Sequence, residues 1–252
     1  MPTSARELKR MSRKCNNCYV SGDEKQLFAC SRCRSQHYCS KECQKADWKS
    51  HKPMCETNGL LESLLKQHEN TPSGMLDRLT LVDGISLYEL DQRLEKWVRW
   101  HNGTLMATTI QALRLPVDVT RARTHLLYIK LEPRSQAEHQ GSAGKFFRVL
   151  DAEVMEVEDG MRRSSPWPES LTQLRKMGEE SERSGEGYVT AAMIECPPLG
   201  VQTVPFGSMT ARAMRYEVMH ATWKQAFIRH IEEGWKPKVE RGGAGRRCGC
   251  HH

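Results

Sequence analysis

The hydrophobic pattern of the chain changes its period several times beyond residue 60. Apolar residues recur at helical spacing in some segments and alternate with polar residues, as in strands, in others. The helical segments are 60–69, 85–116, 165–177 and 211–234, and the strand-like segments are 125–132, 146–158, 187–196 and 200–206. We expect Asn102-Gly103 to divide the second helix and the charged stretch 179–187 to be a linker. Because helices and strands are mixed without a regular βαβ alternation, the pattern predicts an α+β domain over residues 60–234.

Residues 15–55 have a different pattern, because large apolar side chains are almost limited to Leu27, Phe28, Tyr38 and Trp48. Ser40, with Glu42 two positions later, predicts the start of a short helix that runs to about Trp48. A segment of this size cannot bury enough apolar surface to fold by itself. It therefore needs another source of stability.

The same segment holds seven of the ten cysteines and one histidine at matching spacing. These candidate metal ligands are Cys15, Cys18, Cys30, Cys33, Cys39, Cys43, His51 and Cys55. The first two pairs are Cys-x2-Cys knuckles, and the last two pairs have the i,i+4 spacing that places both ligands on one helix face. Eight ligands form two tetrahedral sets, for which thiolates favour zinc, but the spacing leaves sequential and alternating pairing equally open. His37 lies outside the repeated spacing, and we expect it in an exposed loop.

The string C-x2-C-x11-C-x2-C-x4-YC-x3-C-x7-H-x3-C, residues 15–55, resembles the MYND-type zinc finger. The tyrosine before the fifth cysteine and the segment CQKADWKSHK, residues 43–52, match that family as well. The resemblance implies alternating pairing, with Cys15, Cys18, Cys39 and Cys43 on one zinc ion and Cys30, Cys33, His51 and Cys55 on the other. Sites with four protein ligands are structural, and each zinc ion in a small finger contributes on the order of 10–16 kcal/mol of folding free energy.

The resemblance also implies a protein-interaction module that accepts short proline-containing peptides, often with a leucine between the prolines. The family's peptide-contacting positions correspond to Gln44 and Trp48. These residues are four apart on the predicted helix, and an aromatic ring suits an extended, pre-stiffened proline segment. The chain is then expected to be an adaptor or a regulatory factor. In the alternative interpretation, Trp48 only covers the small core of a purely structural finger.

Charge is concentrated at the two ends of the chain. Residues 1–55 carry 12 Lys+Arg against 5 Asp+Glu, and residues 235–252 carry 5 against 1. We interpret residues 1–14 as a basic lead-in and residues 235–252 as a disordered basic tail, in which Cys248, Cys250, His251 and His252 form an incidental metal site at most. Seven thiolates with two zinc ions remove three positive charges from the N-terminal surplus, and no ββα finger spacing is present. We therefore expect no nucleic-acid partner, and we interpret Lys41, Lys45, Lys49 and Lys52 as a solvated face.

Location and catalysis are also constrained by what the chain lacks. It has no apolar run of about 18 residues and no apolar segment near the N-terminus, so we expect an intracellular protein, nuclear or cytoplasmic, without a membrane partner. The GxGxxG, GxxxxGK[ST], HExxH and GxSxG motifs are missing, and Cys196 is interpreted as a small buried residue. Some MYND fingers lie inside SET-domain methyltransferases, but only 14 residues precede Cys15 and no SET cofactor motif follows it. We expect no enzymatic activity; the alternatives are an unidentified activity in residues 60–234 or nucleic-acid binding through the basic ends of the chain.

Overall fold

The computed structural model describes residues 15–18, 20, 24–33, 36–215 and 217–234. The predicted lead-in, residues 1–14, and the predicted tail, residues 235–252, lie outside this part of the chain. The chain divides into two compact units, the first ending at Leu76 and the second beginning at Asp77. Each unit has its own hydrophobic cluster and is described separately.

The first unit consists of a small hairpin and a long helix. Strands β1 (Phe28–Ala29) and β2 (His37–Tyr38) are antiparallel, with Phe28 opposite Tyr38. Helix α1 (Lys41–His68) follows directly, and helix α2 (Pro72–Thr80) contains the boundary between the first unit and the second. The expectation of an exposed loop at His37 was wrong, because this residue is half-buried and pairs with Ala29 in the hairpin.

Helix α1 begins where the sequence predicts. Ser40 is extended, with φ −158° and ψ 168°, and its hydroxyl accepts a hydrogen bond from the Cys43 backbone N–H at 3.2 Å. The predicted end near Trp48 was wrong, since the helix runs for 28 residues and includes the helical segment predicted from residue 60. The ligands His51 and Cys55 lie one turn apart beyond Trp48, so a continuous helix holds both on one face.

The second unit is built on a four-stranded sheet with the order β4-β3-β5-β6. Its strands are β3 (His125–Pro133), β4 (Phe147–Glu156), β5 (Tyr188–Glu195) and β6 (Val201–Met209). The β3–β4 and β5–β6 pairs are antiparallel, and the central β3–β5 pair is parallel. The four strands predicted from the sequence are therefore confirmed.

Helices cover both faces of this sheet. The helices of the second unit are α3 (Leu87–Leu113), α4 (Gln136–His139), α5 (Val157–Met161), α6 (Trp167–Arg183), α7 (Ala211–Met214) and α8 (Trp223–Glu233). There are also three short 3₁₀ turns: Val82–Gly84 lies between α2 and α3, Val119–Arg123 precedes β3, and Ala143–Lys145 precedes β4. Helices α3 and α8 share one core with the sheet, and α6 shares a second core with the opposite face.

Alternating residues of the central strand β3 pack into the two cores on opposite faces of the sheet. Leu127 and Ile129 of β3 belong to the core with α3 and α8, whereas Leu126 and Tyr128 belong to the core with α6. This strand is buried on both faces, which explains its almost continuous apolar run. The second unit is thus a mixed helical and sheet domain, as the α+β expectation states.

Three predicted boundaries were wrong. Helix α3 continues through Asn102-Gly103, because His101 and Thr104 on either side are buried and packing holds the helix together. Helix α6 extends to Arg183, well into the predicted linker. The predicted helix 211–234 is two helices, since the Gln111 side chain donates to Val218 O and accepts from the His220 N–H, both at 2.8 Å, in the segment between them.

Candidate metal centres and the adjoining groove

The hairpin and the start of α1 bring the four ligand pairs together. Cys30 follows β1, and Cys39 lies between β2 and the helix that carries Cys43. The first knuckle is tied to β2, because the Asn16 N–H donates to His37 O and the Asn16 side chain accepts from the His37 N–H, both at 2.9 Å. Short elements therefore place ligands that are distant in the sequence beside each other.

The ligands form two groups of four, and in each group all ligand atoms lie within 4.8 Å of one another. The first group is Cys15, Cys18, Cys39 and Cys43, and the second is Cys30, Cys33, His51 and Cys55. Each knuckle thus pairs with an i,i+4 pair rather than with the other knuckle. The expectation that Cys39 lies on the helix was wrong, because the helix begins at Lys41, after the N-cap Ser40. Of the two arrangements that the spacing left open, the alternating one is confirmed.

The distances within the groups fit zinc. Tetrahedral zinc with Zn–S bonds of about 2.3 Å places neighbouring sulfur atoms about 3.8 Å apart, and a sulfur and an imidazole nitrogen about 3.5 Å apart. Cys18 Sγ lies 3.5 Å from Cys39 Sγ, which lies 3.6 Å from Cys43 Sγ. In the second group, Cys30 Sγ lies 3.7 Å from Cys55 Sγ. Cys33 Sγ lies 3.6 Å from His51 Nε2.

The crowding of the thiols within each group favours a bound cation. Burial raises the pKa of Cys15, but backbone N–H groups of Cys18, Cys39 and Asn17 outweigh it and lower that pKa to about 6. The hydrogen bond between Cys39 and Cys18, at 3.5 Å between the sulfur atoms, instead raises the pKa of the Cys39 thiol to about 12. Four thiolates so close together repel one another, and a divalent cation allows all of them to lose their protons. The donor set therefore fits zinc in charge as well as in geometry.

The second group is the better protected of the two. Its four ligands are all buried, whereas Cys18 of the first group is exposed and Cys39 and Cys43 are half-buried. The His51 ring makes edge contacts with the rings of Tyr38 and Trp48, each with centroids 5.9 Å apart. The Tyr38 hydroxyl donates to Asp47 Oδ2 at 2.6 Å, so the aromatic ring beside the ligand is itself held in place. Four protein ligands per group leave no open coordination position, which is the arrangement of structural zinc.

A shallow groove lies on α1 beside the second zinc group. It has a volume of about 360 Å³ and is lined by Lys41, Gln44, Lys45 and Trp48. The predicted peptide-binding residues Gln44 and Trp48 thus line one depression. The Gln44 amide also donates to Cys30 Sγ at 3.6 Å, a role that the sequence did not reveal. Lys41 and Lys45 were interpreted as a solvated face, and only their spacing of seven and three residues from Trp48, which places all three on one helix face, could have indicated the groove.

The remaining candidate residues behave as structural groups. No further cluster of metal-ligating side chains occurs in the ranges that the structure describes. Cys196 is fully buried, and this burial raises the pKa of its thiol to about 12, so it is not a poised nucleophile. The predicted CGCHH site, residues 248–252, lies outside the described residues.

Comparisons with known proteins match the segment that holds the two zinc groups. The MYND finger family matches residues 15–55. Egl nine homolog 1 of Homo sapiens is 42% identical over 55 residues, which are 21% of this chain and 13% of that protein. SET domain-containing protein 14 of Caenorhabditis elegans is 55% identical over 42 residues, 17% of this chain and 9% of that protein. SET domain and MYND-type zinc finger protein 6 of Schizosaccharomyces pombe is 37% identical over 62 residues, 22% of this chain and 12% of that protein.

These matches concern the first unit. Residues 15–55 are a MYND finger with two interleaved zinc groups, a module of protein–protein interaction. The chain spans only about a tenth of the length of these relatives. No solved structure matches the chain at a significant level. Within the described residues, no helix combines the length and the apolar character needed to cross a membrane.

Proposed function

We propose that this protein binds a partner protein inside the cell through a short proline-containing segment of that partner, as an adaptor or a regulatory factor. The peptide would lie in the groove formed by Lys41, Gln44, Lys45 and Trp48. The observation that carries this proposal is the exposed face of Trp48, which remains 39% exposed beside Gln44 in that groove.

The groove lies on a helix that carries ligands of both zinc groups. Cys43 belongs to the first zinc group and His51 to the second, and both lie on the helix that carries Gln44 and Trp48. The edge of the His51 ring supports the Trp48 ring. A surface that does not have to be ordered on binding costs little conformational entropy, which favours affinity from a small contact area.

A proline-containing peptide suits this surface physically. Proline segments favour the extended polyproline II conformation, lose little entropy on binding, and dock on aromatic side chains. Gln44 donates one amide hydrogen to Cys30 Sγ, and its side chain has a second hydrogen and a carbonyl oxygen for the peptide backbone. We propose binding rather than catalysis, because each zinc group has four protein ligands and no position for a substrate.

The test is a binding measurement on the zinc-loaded full chain. Fluorescence anisotropy with labelled peptides that contain two prolines around a leucine should give saturable binding, and peptides with both prolines replaced by alanine should not bind. Trp48→Ala should weaken the affinity at least tenfold, as expected for a central aromatic contact. Met177→Ala is a matched control, because Met177 is 40% exposed and belongs to the second unit.

The alternative is a purely structural finger with an unidentified activity in the second unit. It is favoured by the contact of Trp48 with His51 and by the hydrogen bond from Gln44 to Cys30 Sγ, since both also stabilise the finger. Absence of binding by every peptide, at full zinc content of the wild-type chain, would support this alternative and contradict the proposed function.

A further inference from the structure

The groove has two chemically different sides. Cys43, Asp47 and His51 are spaced four apart on α1 and face the zinc groups and Tyr38. Lys41, Lys45, Trp48 and Lys52 recur at helical spacing on the neighbouring face. Gln44 lies at the border, where its amide reaches Cys30 Sγ. A peptide over Gln44 and Trp48 therefore has ligand residues on one side and lysines on the other.

The two lysines that line the groove have positive charges available for a partner. Among the described residues, neither Lys41 nor Lys45 has an ion pair, whereas Lys52 lies 4.0 Å from Glu56. Glu42 is the acidic residue between them in sequence. Its carboxylate accepts hydrogen bonds from its own backbone N–H and from the Ser40 hydroxyl at the helix start, and it interacts only at longer range with the charges of Lys45 and Lys41.

We propose that the groove selects proline-containing segments that carry an acidic residue beside the proline motif, with Lys41 and Lys45 as the specificity-determining residues. This inference rests on the proposed function, because it names the class of peptide that the same groove accepts. Trp48 and Gln44 hold the motif itself, and the lysines distinguish an acidic neighbouring residue from a neutral one.

The expected difference in affinity between an acidic peptide and a neutral one is small. An exposed ion pair contributes little free energy by itself, since water and salt screen it. Two lysines at the edge of an aromatic contact act mainly on selectivity and on the rate of association. We expect the acidic peptide to bind about three- to tenfold more tightly than its neutral counterpart at moderate salt, with a difference that shrinks as the salt concentration rises.

The experiment uses the zinc-loaded full chain and two labelled peptides. Both contain two prolines around a leucine, one flanked by glutamate and the other by glutamine at the same positions. The variant is Lys41→Gln with Lys45→Gln. The control is Lys49→Gln with Lys176→Gln, which removes the same charge at two exposed lysines that do not line the groove. We expect the first pair to remove the preference for glutamate and the control pair to retain it.

The possible outcomes separate this inference from the proposed function. Equal affinity of the wild-type chain for both peptides, with Trp48→Ala still weakening the affinity at least tenfold, would overturn the acidic selectivity and leave the peptide site intact. Absence of binding by either peptide would overturn both. Displacement of the acidic peptide by a single-stranded oligonucleotide of the same charge, at equal concentration, would mean that the face binds anions generally, which also contradicts the inference.

Discussion

At the scale of single residues, His101 has the most unusual environment in the second unit. It lies fully buried on α3, where Nε2 is 2.9 Å from Gly144 O and therefore carries the donated proton. Its ring is 4.9 Å from that of Trp97, and Nδ1 has no hydrogen-bond partner in the described part of the chain. Burial lowers the pKa of His101 to about 4, aided by the charge of His230 and opposed by the Gly144 carbonyl. The imidazole is thus neutral at pH 7.

This environment predicts an acid-sensitive fold. Between the ordinary histidine pKa of about 6.5 and the folded value, the unfolded chain binds a proton that the folded chain does not bind. The free energy of unfolding should therefore fall as the pH drops from 6.5 to 4, by up to roughly 3 kcal/mol from this residue. Urea unfolding of the second unit between pH 4 and 7 measures the fall. His101→Gln should flatten it, while His125 and His139, whose pKa values burial also lowers, remain as a common background. Parallel curves for the two proteins would contradict the prediction.

The metal ligands could be predicted residue by residue, because knuckles and i,i+4 pairs restrict which side chains can share an ion. The pairing could not be predicted from spacing, since it depends on which loops the β1–β2 hairpin brings together. The sequence likewise could not reveal that His101 is buried against Gly144, because these residues are far apart in the chain. Local spacing thus predicted the set of zinc ligands, whereas their pairing and the burial of His101 depend on tertiary contacts.

At the scale of elements, two long helices begin with the same device in different units. The Ser40 hydroxyl accepts from the Cys43 N–H at 3.2 Å at the start of α1. The Ser86 hydroxyl accepts from the Glu89 N–H at 3.1 Å at the start of α3. Only the first of these caps lies between two zinc ligands, Cys39 and Cys43. The two serines therefore form a matched pair for testing what the start of α1 contributes to metal binding.

Ser40→Ala should weaken zinc binding in the first group. Loss of a serine N-cap costs about 1 kcal/mol of helix stability, and this loss falls on the turn that holds Cys39 and Cys43. We expect about a fivefold lower zinc affinity in competition with a chromophoric chelator. Ser86→Ala should cost a similar free energy in the second unit and leave the zinc affinity unchanged. An equal loss of zinc affinity in both variants would contradict the local role of the cap.

The element boundaries show where local pattern stops being informative. The periodicity of 41–48 and of 60–69 was visible in the sequence, but the residues between them are polar, and the join depends on His51 and Cys55 sharing a zinc group with the first hairpin. The break between α7 and α8 depends on Gln111, about a hundred residues earlier. The central strands β3 and β5 were predicted well because burial on both faces leaves a strong apolar run. The edge strand β4 was recognisable because buried and exposed residues alternate more along it.

At the scale of the whole molecule, the two units have different sources of stability. The buried cluster of the first unit consists of Cys15, Cys30, Cys33, Tyr38 and Cys55, of which four are zinc ligands. The second unit has apolar cores on both faces of its sheet, built from leucine, isoleucine, methionine and aromatic residues. Removal of the metal should therefore affect the two units very differently.

Chelation should unfold the finger and leave the sheet domain folded. Each structural zinc contributes on the order of 10–16 kcal/mol, far more than a cluster of one tyrosine and four thiols can replace. In hydrogen-exchange mass spectrometry of the full chain, excess chelator should abolish protection in residues 24–33 and 36–55 and leave strands β3 to β6 protected. Added zinc should restore the protection of the finger.

Cys30→Ser should reproduce the loss of protection in the finger without chelator. Cys196→Ser, at a buried cysteine that is not a ligand, should weaken protection only in the second unit. A finger that stayed protected after complete zinc removal would contradict the structural role of the metal. Loss of protection in the sheet as well would mean that the metal stabilises both units.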